Sequence, residues 1–240
     1  MFPLRDDNPT TSRPIVTFTL IAANVMVFLY QVSLGSRAGQ LFAYQFGAIP
    51  SVILGDQTLP AKIAVIPPSL SLFTSMFLHG GWMHLIGNMW YLWIFGDNIE
   101  EAMGKLRYFL FYIVCGFLAS ASHILSNVDS TLPSIGASGA ISGVLGAYLL
   151  LYPRARVLTL IFLGFFSRFL FIPAGFILGF WFLLQVLSGS AAGAQNAGGV
   201  AFWAHIGGFV AGMLLVGLFK KRHVRFFNPA RHRAVTFDDL

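Results

Sequence analysis

Six stretches of this chain are apolar over close to the length a bilayer crossing demands, and together they occupy nearly half of it. A helix rises about 1.5 Å per residue and a hydrocarbon core is roughly 30 Å thick, so one crossing takes about 20 apolar residues. The stretches are Ile15–Leu34, Trp82–Glu101, Leu106–Ser126, Ala137–Tyr152, Pro173–Leu187 and Val200–Phe219, of which the fourth is short. Only 10% of the 240 residues are charged, where a soluble domain carries roughly 25%. The chain is therefore expected to fold as an all-α polytopic membrane protein. Residues 1–14 form an N-terminal segment, 15–219 a six-span membrane domain and 220–240 a basic tail. The first run lacks a small-residue cleavage site and is followed by further spans, so it is expected to remain as a span rather than to leave as a signal peptide.

The net charge of +6 raises the question of nucleic acid, but the placement of the charges argues for lipid instead. Arg5 and Arg13 precede the first span, and Lys105 and Arg107 follow the second. Arg154, Arg156 and Arg168 lie between the fourth and fifth. Lys220, Lys221, Arg222, Arg225, Arg231 and Arg233 follow the sixth. Only Arg37 and Lys62 fall on the opposite side. Six spans with both termini in the cytoplasm satisfy the positive-inside rule, whereas a seventh span would put the basic tail outside. These features suggest a multi-pass protein of a bacterial plasma (inner) membrane whose surroundings are lipid, with no nucleic-acid partner.

Two connections are not simple loops. Residues 35–81 carry Phe42, Phe46, Ile63, Ile66, Phe73 and Phe77, and the segment is expected to lie partly in the membrane interface. Residues 157–172 are apolar but too short to cross and return. Their β-branched and aromatic content around Gly164 suggests a hairpin or re-entrant piece on the cytoplasmic side.

Polar side chains inside spans are costly and usually mark function. His84 and Asn88 lie on the second span, Ser138 on the fourth and His205 on the sixth. All three spans run from outside to inside, and each residue sits near the start of its span. The four side chains therefore fall in one shallow layer on the outward side, joined there by His79. His123, ending the third span, is read as reaching the outer interface. Ser138 stands in GASGA (136–140), whose small residues leave a hydroxyl uncrowded, and a helix start offers N–H groups to a developing oxyanion. His205 adjoins a stripe of Ala204, Gly208 and Gly212 that admits another helix closely, and Gly139, Ser142, Gly143 and Gly146 supply a matching face. In that packing the imidazole can meet the hydroxyl as a general base. Taken singly, a serine or a histidine in a span also serves plain helix packing. His84 and Asn88, four apart, share a helix face and are candidate oxyanion donors.

Other chemistries find less support. His79 and His84 are five apart, with no HExxH motif and no cysteine or carboxylate close in sequence, so no metal site is expected. The single cysteine, Cys115, excludes an intrachain disulfide and reads as a small buried side chain. No acidic residue sits where it would complete a triad, so a dyad is expected. A channel or transporter would place polar groups at several depths rather than in one layer.

In HGGWMHLIGN (79–88), GDNIEEAMG (96–104), GASGAISG (136–143) and AHIGGFVAG (204–212), taken in order, the chain resembles the rhomboid family of intramembrane serine proteases, bacterial six-span type. The resemblance covers about residues 70–215, and YQFGAIP (44–50) looks like the first outward loop of bacterial members. It implies a serine endopeptidase without a cofactor, cutting single- or multi-pass membrane protein substrates near the outward face. Ser138 would be the nucleophile and His205 the base, with the oxyanion held by the Ser138 N–H, Asn88 and His84. Gly136 and Gly139 would frame the serine, and Glu100 would be a structural anchor near the cytoplasmic face. By the same resemblance substrates would enter between the second and fifth spans, past Phe176, Phe180 and Phe182. Two departures stand out. Ser142 occupies the position of an aromatic that packs on the histidine in some members, so support for His205 must come from elsewhere. The tryptophan–arginine pair of some first outward loops is absent. A rhomboid-like protein that binds clients without cutting is the alternative, though such a protein is expected to lack the serine or the histidine.

Overall fold

The computed structural model of the protein describes residues 2–163, 166–192 and 201–229. Gly164, Val200, Arg231 and Arg233, which figure in the sequence reading, lie outside the described residues.

Six long helices match the six apolar runs. They are α1 (Ile15–Ser33), α5 (Trp82–Met103), α6 (Lys105–Ser126), α7 (Ser138–Leu151), α8 (Ala174–Ala192) and α9 (Phe202–Phe219). By length and composition α1, α6, α8 and α9 are each able to cross a membrane. α5 is equally long, at 22 residues, but ends in Asp97, Glu100 and Glu101. α7 has 14 residues and spans only about 21 Å. It can be short because it is enclosed: Gly139 through Tyr148 are all buried, among α5, α6, α8 and α9.

Close backbone approach explains the small residues of α7 and α9. A Cβ added at Gly208 would lie 2.0 Å from the Gly139 carbonyl oxygen, and one at Gly212 would lie 2.0 Å from that of Gly143. Any side chain at either position drives the helices apart. Cys115 of α6 fills the remaining corner, its Cβ 2.5 Å from where one on Gly143 would sit.

The connection 35–81 folds into α2 (Gly35–Phe46), the single-turn helices α3 (Pro50–Ile53) and α4 (Ser71–Thr74), and 3₁₀ turns at Pro68–Leu70 and Ser75–Phe77. The Thr74 hydroxyl on the Phe46 carbonyl (2.6 Å) ties the segment to itself, and a bridge between Ala48 and Ser134 joins it to the chain entering α7. Leu41, Tyr44, Leu54, Val65 and Leu70 stay exposed, as an interfacial segment requires.

The expected hairpin is present as β2 (Arg156–Leu163) and β3 (Phe166–Pro173), antiparallel from Arg156 opposite Pro173 to Leu163 opposite Phe166. The helical bundle also carries something the sequence reading did not contain: β1 (Phe2–Asp6) pairs antiparallel with β2, making a three-stranded sheet. The N-terminal segment is thus ordered against the end of the bundle that carries Glu100. That carboxylate, 2% exposed, accepts the Val16 and Thr17 N–H groups (3.0 and 2.8 Å) and the Thr17 hydroxyl (2.8 Å). It caps the start of α1, whose first N–H groups have no partner within their own helix.

Candidate active site

The chain enters α7 through Ser134–Ala137, and Ser138 is the first helical residue. Gly136 takes φ +126°, where a side chain would be strained, and its N–H bonds the Ser75 carbonyl (2.9 Å). This turn presents Ser138, half-buried, at the N-terminal end of a buried helix. His205 lies one turn into α9, also half-buried, and its Nε2 is 2.8 Å from Ser138 Oγ. The glycine contact between α7 and α9 lies close to that pair, because Gly139 directly follows Ser138 and Gly208 is one turn after His205.

The other ring nitrogen, Nδ1, is 2.8 Å from Gln185 Oε1 on α8. With an acceptor there, Nδ1 carries the proton of a neutral imidazole and Nε2 is free to accept the Ser138 hydroxyl. Trp181, one turn earlier on α8, lies beside the ring with centroids 5.8 Å apart. The support that Ser142 does not give therefore comes from α8, a different helix. The Ser142 hydroxyl instead donates to the Ser138 carbonyl (2.6 Å).

His84 and Asn88 stand one turn apart on α5, facing Gly136. A Cβ at that glycine would lie 2.8 Å from His84 Nε2 and 3.7 Å from Asn88 Nδ2. The Gly80 N–H donates to His84 Nδ1 (3.3 Å), which leaves Nε2 as the N–H donor. Asn88 Nδ2 is buried with no partner among the described residues. A buried donor without a partner is expensive, and two donors converging on the turn that leads into Ser138 are placed as groups that stabilise a transient negative oxygen. An opening of about 20 Å³, bounded by Ser138, Gly136, Ser75, Ser120 and Ser134, adjoins the serine. That is room for about one water molecule.

The structure brings Ser138, His205, His84 and Asn88 to one place, framed by Gly136 and Gly139. Glu100 sits about 18 Å along α5 from Asn88, away from the chemistry. Two expectations need correction. His79 does not line the opening: it is fully buried between His84 (ring centroids 5.1 Å) and Phe28 (6.4 Å). Phe182 does not face lipid with Phe176 and Phe180, because it stacks on Phe209 at 4.5 Å. Among the described residues no three His, Cys, Asp or Glu side chains gather to hold a metal ion. Gln185 escaped the sequence reading although its signal was available, as a strongly polar side chain within the fifth apolar run.

The Rhomboid domain family profile matches residues 69–222. Rhomboid protein 1, mitochondrial, of Saccharomyces cerevisiae is 32% identical over 204 residues, which cover 83% of this chain and 51% of the yeast protein. Rhomboid protease GluP of Bacillus subtilis is 34% identical over 57% of this chain and 24% of its own length. RHOMBOID-like protein 6, mitochondrial, of Arabidopsis thaliana is 42% identical over 32% of this chain and 25% of its own length. The chain thus spans about half the length of the yeast relative and about a quarter of the other two.

Proposed function

Since the chain belongs to the rhomboid family and is a multi-pass integral membrane protein, we propose that it is a serine endopeptidase that cuts transmembrane substrate helices near the outward face. The observation that carries this reading is the 2.8 Å approach of His205 Nε2 to Ser138 Oγ, with Nδ1 engaged by an acceptor. Hydrolysis follows from those atoms. Ser138 Oγ attacks the scissile carbonyl while its proton passes to His205 Nε2. The oxyanion that forms is held by Asn88 Nδ2, His84 Nε2 and the N–H groups at the start of α7. His205 then protonates the departing amine. Water, admitted because the pair is partly exposed at the outward end, repeats the sequence on the acyl-enzyme.

A substrate helix hides its peptide bonds in its own hydrogen bonds and must unwind at the serine, which favours weak helix formers such as glycine near the cut. Substrates are membrane proteins, reaching the serine between α5 and α8 past the exposed Phe176 and Phe180. The membrane domain is residues 15–219. Both termini lie on the side rich in lysine and arginine, the cytoplasmic side of a bacterial plasma membrane.

The test is a fluorophosphonate probe applied to the purified protein. Labelling of the parent and none of Ser138→Ala is expected. An unlabelled parent would overturn the reading in favour of a client-binding relative that does not cut.

A further inference from the structure

His205 rides on α9, but the group at its Nδ1 belongs to α8. Gln185 is the only amide, acid or base in that helix, whose sequence is AGFILGFWFLLQVLSGSAA. A polar side chain amid so much phenylalanine and leucine is costly to keep in a membrane. Its oxygen is spent on the imidazole, at 2.8 Å.

A neutral imidazole has one N–H and one lone pair, and only one of its two tautomers can serve as a base toward Ser138. If Nε2 held the proton, two hydrogens would face each other across the 2.8 Å gap or the serine would have to turn away. An acceptor at Nδ1 selects the other tautomer. The orientation of the amide is set by the same logic. Once His205 has taken the serine proton, both ring nitrogens are donors, so an oxygen at Nδ1 remains bonded while an amide nitrogen there would oppose it. Trp181, four residues earlier on α8, lies beside the ring at a centroid distance of 5.8 Å and a tilt of 36°, so the same helix supplies a packing contact and the Nδ1 acceptor.

We propose that Gln185 is the positioning residue for His205, holding the Nδ1–H tautomer from a neighbouring helix in place of a carboxylate. This rests on the reading of Ser138 and His205 as the catalytic pair. An amide oxygen orients the ring without placing a second charge in the apolar interior, where an uncompensated carboxylate would be far more costly.

The experiment compares the full-length parent with Gln185→Leu and Gln185→Glu in detergent micelles. It reads kcat and KM on a transmembrane peptide and the ¹⁵N shifts of histidine-labelled protein, with the His205 signals assigned by their loss in His205→Ala. Gln185→Leu is expected to melt like the parent and to keep its KM. Its kcat falls by about 10²-fold, the cost of a small misplacement of a reacting group, and the His205 signals move from one tautomer to a mixture. Gln185→Glu retains the acceptor, so it keeps the Nδ1–H signature and restores kcat to within about tenfold of the parent, well above the 10²-fold loss. Parental kcat in Gln185→Leu, or an unchanged tautomer there, overturns the proposal. So does a well-folded Gln185→Glu as slow as the leucine variant. If the parent itself neither cuts nor labels with a fluorophosphonate, the proposed function has failed, and the ¹⁵N shifts alone decide whether Gln185 sets the tautomer.

Discussion

At the scale of single residues, the site consists of groups that a membrane interior should reject. In the proposed mechanism Ser138 and His205 act as one proton-transfer unit, so Ser138→Ala and His205→Ala are each expected to abolish cleavage while the protein still inserts. The double variant should be no slower than either single one. Assays of all three on one substrate check this, and substantial residual turnover in His205→Ala would remove it as the base. Asn88 offers an unpartnered buried donor beside Gly136, so Asn88→Ala should slow cleavage by about 10²–10³-fold, leaving the other donors in place. Parental kinetics in that variant would show that the amide serves another purpose. The layer of polar groups was legible because each one is costly in lipid and each falls near the start of its span. Trp181 was not legible, since an aromatic in an apolar helix usually faces lipid. His79 misled for the opposite reason: its position in sequence matched the layer, but its side chain packs behind His84.

At the scale of elements, the reach of His205 to Ser138 is set by how closely α9 lies on α7. A methyl group at Gly208 already collides with the Gly139 carbonyl, and the larger side chain of Gly208→Val must push the two backbones apart. Because the serine and the histidine ride on these helices, a displacement of about 1 Å can cost 10²-fold in rate. Gly208→Val should therefore melt at a lower temperature and lose at least that much activity, although it removes no group that touches substrate. Leu214→Ile on the same helix, at a side chain 74% exposed, should be nearly silent. Normal melting and cleavage in Gly208→Val would mean that the helices can separate without consequence. Helix extents and the glycine seam could be read from apolar run lengths and small-residue spacing, because both are local patterns. The pairing of β1 with β2 could not. FPLRD is five residues with a proline and two charges, and its partner lies some 150 residues later in the chain.

At the scale of the whole molecule, residues 2–12 form a strap that ties α5 and the C-terminal part of α7 to the sheet. The Trp90 indole donates to the Pro3 carbonyl (2.7 Å), Thr10 to Asp97 (3.1 Å), and the Thr11 and Ser12 N–H groups to Glu101 (2.7 and 2.9 Å). Arg156 pairs with Asp7 at 2.8 Å. Asp6 is the unusual member. It accepts the Tyr148 hydroxyl from α7 and faces both Asp97 and Asp7. Burial pushes its carboxyl up to about 8, the Tyr148 bond opposes that shift, and the two neighbouring aspartates add to it. A carboxyl released from the strap ionises near 3.8. Between these values the docked state holds a proton that the released state has lost, so docking weakens steadily as pH rises from about 4 to about 8 and then levels off. The strap should accordingly be tightest in acid, the reverse of what an ordinary salt-bridged aspartate produces. Melting the parent and Asp6→Asn in detergent from pH 5 to pH 9 checks the sign. The parent should lose stability over that range, while the variant, which carries no proton to lose, should show a shallower slope and should melt above the parent at pH 9. Equal slopes in the two proteins would mean that Asp6 is already ionised in the fold and that the Tyr148 hydroxyl stabilises it as the anion.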